Sequence, residues 1–248
     1  MTGARRYNGR ALALTAELVA RVTQPMPDPG LDPALTYRAE AEFAELADAL
    51  LADEPPEADL WVFACGSLIW RPACPVAESV RAALHGWHRV FCMKITRWRA
   101  TKAQPGLMMA LDRGGSCNGV ACRIPAADKR DSLILLLKRE MSMRPSNNMV
   151  RWVEAVTAGG PRRAIAFVMD RRSVNYIGRL PPEQEAALLA CACGHGGSCA
   201  EYLHKTIVHL AEYGIRDRNL WRLQALVADR IATGLQRQDG VQPVQPKV

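Results

Sequence analysis

The sequence predicts an α+β fold, and three observations carry that reading. Apolar, strand-like segments crowd residues 60 to 169 with a single helical segment among them. Ala/Leu-rich helical segments follow residue 181, and no regular strand–helix alternation links the two regions. Strands gathered early and helices gathered late mark α+β, because alternation is what builds a parallel α/β sheet.

Residues 8 to 23 and 36 to 52 read as Ala/Leu-rich helices, parted by the proline-rich stretch PMPDPGLDP. A second break, DEPPEAD, precedes Trp61. Residues 1–57 are therefore expected to form a helical N-terminal extension, with the main domain spanning 58–232. Strands are expected over Leu60–Cys65, Val80–His85, Arg89–Thr96, Leu107–Asp112 and Cys117–Ile124. Arg113-Gly114-Gly115-Ser116 reads as the turn of a hairpin joining the last two. A helix follows from about Asp128 to Glu140, then strands Met149–Thr157 and Arg163–Met169 around Gly159-Gly160-Pro161. Helices over Pro182–Cys193, Ala200–Tyr213 and Leu220–Ala232 close the domain, and the polar tail 233–248 is expected to be disordered.

Composition narrows the function classes. The chain has 248 residues, about half of them apolar, which is the ordinary globular range. No apolar run reaches the roughly 18 residues of a membrane helix. Glu17 and Arg21 interrupt the N-terminal apolar stretch before a signal segment is complete. The net charge of +7 favours acidic small molecules. Only Arg97-Trp98-Arg99 forms a basic-aromatic cluster, and no nucleic-acid-binding motif surrounds it. Eight cysteines in a chain able to build its own core fit reduced thiols in a cytoplasmic setting.

Glu140 is the first candidate for chemistry. At about 100° per residue, Leu133, Leu136, Leu137 and Glu140 share one helix side, flanked by Lys138 and Arg139. A carboxylate on an apolar stripe resists ionisation, and a raised pKa is what a general base near neutrality needs. The alternative is a frayed helix end at which Glu140 pairs with Arg144 or solvent. A second candidate is the Gly66-Ser67 turn ending the apolar strand WVFAC. Successive N–H groups in such a turn converge on an anion, although strand-ending Gly-Ser turns are also common in ordinary loops. In CACGHGGSCAEYLH, the residues Cys191, Cys193, His195, Cys199 and His204 could be drawn as a zinc site. The Cys191–Cys193 spacing is tighter than structural zinc sites use, and a helix through EQEAALLACAC would send those thiols to different faces. Cys65 with His88 is the pair to suspect for nucleophilic catalysis, but nothing in the sequence joins them.

Taken together, the motifs resemble the ChaC-like γ-glutamylcyclotransferases, the branch that degrades glutathione. Val62-Phe63-Ala64-Cys65-Gly66-Ser67-Leu68-Ile69-Trp70 resembles that family's strand and loop V-F-G-Y-G-S-L-I-W. Gly86-Trp87-His88-Arg89-Val90-Phe91, Gly114 to Ala121, Arg139-Glu140, Asn175-Tyr176, and Gly197 with Glu201-Tyr202-Leu203 resemble its later motifs in order. Two positions depart: Cys65 stands for the family's tyrosine, and Cys199 for an asparagine. The resemblance implies a small mixed β-barrel or sheet surrounded by helices. It implies that a γ-glutamyl amide cyclises to 5-oxoproline, releasing Cys-Gly when the substrate is glutathione. It further implies Glu140 as acid/base, and Ala64, Cys65, Gly66, Ser67 and Leu68 around the glutamyl group with Tyr176 as a further contact. No metal or other cofactor is implied. The expected partner is a small γ-glutamyl compound, with no nucleic acid and no membrane, and the sequence leaves the oligomeric state open. A cyclotransferase for other γ-glutamyl amines, or a silent binding protein of the same fold, are the alternatives.

Overall fold

The computed structural model describes residues 6–7 and 10–234; the rest, including most of the expected tail and residues 8–9 of the first expected helix, lie outside the described residues. Among the described residues the helices are α1 (Ala16–Val22), α2 (Glu40–Leu51), α3 (Lys129–Glu140), α4 (Pro182–Cys191), α5 (Cys199–Glu212) and α6 (Arg218–Ala232). The longer strands are β1 (Leu60–Ala64), β2 (Glu78–Ile95), β3 (Gly106–Ile124), β4 (Asn148–Thr157) and β5 (Gly160–Met169). The class is α+β. No helix among them is long and apolar enough to cross a membrane.

Contacts divide the described residues into two units, one of residues 31–89 and 110–173, the other of those up to residue 30 with 90–109 and 174–234. In the first, the strands close into a barrel in the order β1-β3-β2-β4-β5. β1 pairs antiparallel with β3, Leu60 opposite Ile124 through Ala64 opposite Val120. The barrel shuts where β1 meets β5 in parallel, Trp61 opposite Ala164 and Val62 opposite Ile165. The pleat sends alternate residues to opposite faces. Phe63, Leu84, Leu111, Ala121, Ala155 and Ala164 come from all five strands and fill the inside, alanines making room for the larger side chains. Leu60, Val62, Ile124 and Ile165 face outward, where Phe43 and Ala47 of α2 and Leu133, Leu136 and Leu137 of α3 cover them. The apolar stripe of α3 is therefore a packing face, and Glu140 stands at its end.

The expected hairpin through Arg113–Ser116 does not form: β3 runs unbroken from Gly106 to Ile124. Gly114 and Gly115 take φ of 99° and 69°, which kinks the strand without reversing it. β2 likewise joins the two segments expected on either side of Gly86, which has φ 80°. His88 Nδ1 lies 3.0 Å from the Gly114 carbonyl oxygen, so the two irregularities face each other as paired bulges would. Four exposed residues carrying two glycines look like a turn in sequence, but left-handed residues serve bulges as readily as turns. The hairpin that does form joins β4 to β5, Thr157 opposite Gly160.

In the other unit, α1, α4, α5 and α6 pack on one another. Side-chain caps start three of them: Thr15 accepts from Leu18 N–H, Ser198 from Glu201 N–H, and Asp217 from Asn219 and Leu220 N–H. The first expected helix begins late because Thr15 caps it, and the second begins at Glu40 because Thr36–Tyr37 pairs with Met143–Arg144. The helix expected through Cys193 stops at Cys191, and Cys193–Gly194 turns back to pair with Gly197–Ser198.

Candidate active site

β1 delivers its C-terminal end to a tight loop. After Ala64 the chain folds into helical turns: Ile69 N–H donates to Gly66 O at 3.0 Å, and Arg71 N–H to Ser67 O at 2.8 Å. As at any helix start, the first N–H groups are left over. Those of Gly66, Ser67 and Leu68 have no backbone acceptor among the described residues. Gly66 does not take a positive φ, so no left-handed turn calls for glycine there, and the residue is buried.

Arg89 holds the loop from beneath. Its guanidinium, on a residue only 6% exposed, donates to Cys65 O at 2.7 Å and to Asn118 O at 2.5 Å. Asn118 neighbours Gly119, where an added Cβ would meet Ala64 O at 2.5 Å and the Phe63 ring at 2.6 Å. Close approach of β3 to the end of β1 thus requires glycine there.

α3 brings Glu140 to the same unit. Its side chain keeps 20% of its surface exposed. Desolvation raises its pKa above the ordinary carboxyl value, and the Arg139 guanidinium opposes that rise. Glu140 Oε1 lies 3.2 Å from Arg139 Nε. Asn148, at the start of β4, donates its Nδ2 to Glu140 Oε2 at 3.4 Å. Arg139 also donates to Ser67 Oγ at 2.7 Å and to the Arg71 carbonyl, so it touches both the acid and the loop. Of the two partners in the frayed-end alternative, Arg144 pairs with Glu42 instead, while Glu140 is the last residue of α3 and keeps part of its surface in solvent.

The remaining expected residues sort as follows. Cys65 sits in the loop; burial first, and Cys117 next, push its thiol up to about 12, with Arg89 opposing and Glu140 adding. Such a thiol is no nucleophile at neutrality, and His88 Nδ1 faces the Gly114 carbonyl oxygen. Ala64 is 1% exposed. Ala64 and Leu68 line, with Val62, Cys74 and Leu136, a cavity of about 10 Å³, so their side chains serve packing. Tyr176 belongs to the other unit, where it bridges Met93 while Asn175 O accepts from Lys94 N–H and Ile177 N–H donates to Cys92 O.

Cys199 is likewise in that other unit, fully buried, its thiol donating to the carbonyls of Arg99 at 3.3 Å and Leu107 at 3.5 Å. It is a satisfied core thiol. Among the described residues no three His, Cys, Asp or Glu side chains gather as a metal-binding group. All eight cysteines are free.

Sequence reasoning selected Glu140 and the loop but gave no role to Arg139, Arg89 or Asn148. One available signal was Arg89 itself, an arginine beside Val90-Phe91-Cys92 in a strand, which must find buried acceptors. Asn148 lies eight residues beyond Glu140, across the connection from α3 to β4, and no periodic pattern links the two.

Comparison with known proteins bears on this arrangement. The profile of the family described as ChaC-like protein matches residues 60–230. The chain is 37% identical over 212 residues to an Escherichia coli protein named glutathione-specific γ-glutamylcyclotransferase, covering 84% of this chain and 90% of that one. It is 33% identical over 171 residues to the Arabidopsis thaliana γ-glutamylcyclotransferase 2-3, covering 65% of this chain and 84% of the relative. Among solved structures, a yeast γ-glutamylcyclotransferase specific to glutathione superposes with a TM-score of 0.63 at 20% identity, covering 75% of this chain and all of that one. At that identity the likeness speaks for the fold.

Proposed function

The chain belongs to the ChaC-like family, and from that premise we propose that it is a glutathione-specific γ-glutamylcyclotransferase. In the reaction, the α-amine of the γ-glutamyl group attacks its own γ-carbonyl carbon. A carbon–nitrogen bond forms within a five-membered ring, the amide bond to cysteine breaks, and 5-oxoproline and Cys-Gly leave. Attack within one molecule has an effective molarity of about 10⁵ M or more when the reacting groups are held together. The protein must then fold the glutamyl chain, carry two protons in turn from the α-ammonium to the departing nitrogen, one to free the amine for attack and one lost from it as the ring closes, and steady the oxyanion between.

Glu140 is our choice for the proton. As the carboxylate it accepts from the α-ammonium, whose pKa is near 8, and as the acid it returns that proton to the leaving nitrogen. A raised carboxyl pKa narrows the gap between donor and acceptor, which favours transfer in both directions. The leftover N–H groups of Gly66, Ser67 and Leu68 are our choice for the substrate carboxylate and the oxyanion, since several aligned N–H groups bind negative charge. No step calls on a metal or a redox group. Eight free thiols suit a reducing compartment, so we place the protein in the cytoplasm.

One observation carries the reading: a desolvated carboxyl at the end of α3, its oxygens held by Arg139 and Asn148, is joined through Arg139 to the loop bearing those N–H groups. The test is release of 5-oxoproline from glutathione by the purified protein, with Glu140→Gln beside it. Expected are release by the wild type and a fall of about 10²-fold or more in the variant, the range of lost general acid–base catalysis. Cys65 in place of the family's tyrosine favours a second reading, in which another γ-glutamyl amide is preferred. Release from γ-glutamyl amines but not from glutathione would establish it. No release from any would leave a binding protein.

A further inference from the structure

We infer that Arg139 is a positioning residue for this reaction, a cationic tie that sets Glu140 and the Gly66–Arg71 loop in register. The inference rests on the reading of Glu140 as the acid/base and adds a residue to it.

One guanidinium makes three engagements. Nε faces Glu140 Oε1 at 3.2 Å, Nη2 donates to Ser67 Oγ at 2.7 Å, and Nη1 donates to the Arg71 carbonyl. The planar fork presents these donors in a fixed relation, so moving the loop moves the acid. The Arg139 side chain is 26% exposed and the Glu140 side chain 20%, so solvent weakens the pair less than at an open surface. A cation needed only for solubility would point away from both. Lys138, the neighbour that does so, pairs with Glu40 of α2.

The groups bearing on Glu140 are few. Arg139 comes from its own helix, Asn148 from β4 supplies an uncharged amide, and Cys65 from the loop has a thiol that stays protonated. Arg139 is thus the cation that favours the ionised acid, while its Nη atoms hold the loop. The two duties can be separated by substitution. Lysine keeps a charge near Glu140 but, with one nitrogen, cannot also reach Ser67 and the Arg71 carbonyl. Glutamine keeps neither.

The experiment measures 5-oxoproline release from glutathione against pH for wild type, Arg139→Lys and Arg139→Gln. Both variants should show a raised KM because the loop is released. In the glutamine variant, kcat/KM should fall by about 10- to 100-fold, the scale of a lost charge-assisted hydrogen bond, and its acid limb should move to higher pH. In the lysine variant the acid limb should stay near the wild-type position. A merely structural arginine would lower the yield of folded protein and leave the limb where it was. A wild-type limb in a folded glutamine variant, or a wild-type KM in the lysine variant, overturns the inference. If the glutamine variant does not fold, the KM of the lysine variant decides alone. Full activity in Glu140→Gln would sink the acid/base reading itself, a different outcome from an inert Arg139.

Discussion

At the scale of the residue, Glu140 stands out because its protonation and the stability of the fold are linked. Desolvation raises its pKa in the native state, so the native protein binds that proton more tightly than the unfolded chain. Its contribution to stability is present below the unfolded value and is lost as pH rises through the raised native one. Glu140→Gln lacks the titration. The variant should therefore gain in Tm relative to the wild type as pH rises from below the ordinary carboxyl value through the raised native one. A difference that stays constant with pH would refute the linkage. Activity should run the other way, failing on the acid side as Glu140 takes up its proton. Tolerance of Cys65 and Cys199 is understandable at the same scale. Both thiols are pushed up to about 12 mainly by burial, so neither brings a charge into the protein at neutrality.

At the scale of the element, the meeting of β1 with β3 presents the loop. Five paired residues carry β1 along β3, and Gly119 lies just past the last pair, where the backbones crowd. Gly119→Ala would drive a Cβ into Ala64 O and the Phe63 ring. We expect a loss of about 1–3 kcal/mol, the usual cost of overpacking, read by urea unfolding, together with a raised KM as the loop shifts. An alanine variant with wild-type stability would show that the strands can part without cost. Helix α3 was legible in sequence because its leucines repeat at helical spacing and it serves one covering face. The long strands were not. Gly114-Gly115 carries the same local chemistry in a bulge as in a turn, and only the partner strand decides between them.

At the scale of the whole molecule, residues 10–30 fall in one of the two units and residues 31–57 in the other. Leu14 is fully buried, its N–H donating to Gln224 Oε1 at 2.7 Å, and Val19 and Val22 of α1 are each 7% exposed. α2, in the other unit, covers outward-facing residues of the barrel beside α3. Deleting residues 1–23 should strip α5 and α6 of apolar cover and lower Tm by several degrees or more; an unchanged melting curve would show the segment to be peripheral. The sequence by itself determined the α+β class, the positions of the main helices, the apolar strand ending at Gly66-Ser67, and Glu140 as the odd member of a leucine stripe. Each of these is written in local periodicity or in a run of neighbouring residues. Only the tertiary structure decided that Arg139 reaches Ser67, what holds the carbonyl of Cys65, and that β2 and β3 run on through their glycines. Those contacts join residues 24 to 72 positions apart, and their energy depends on burial that no local pattern records.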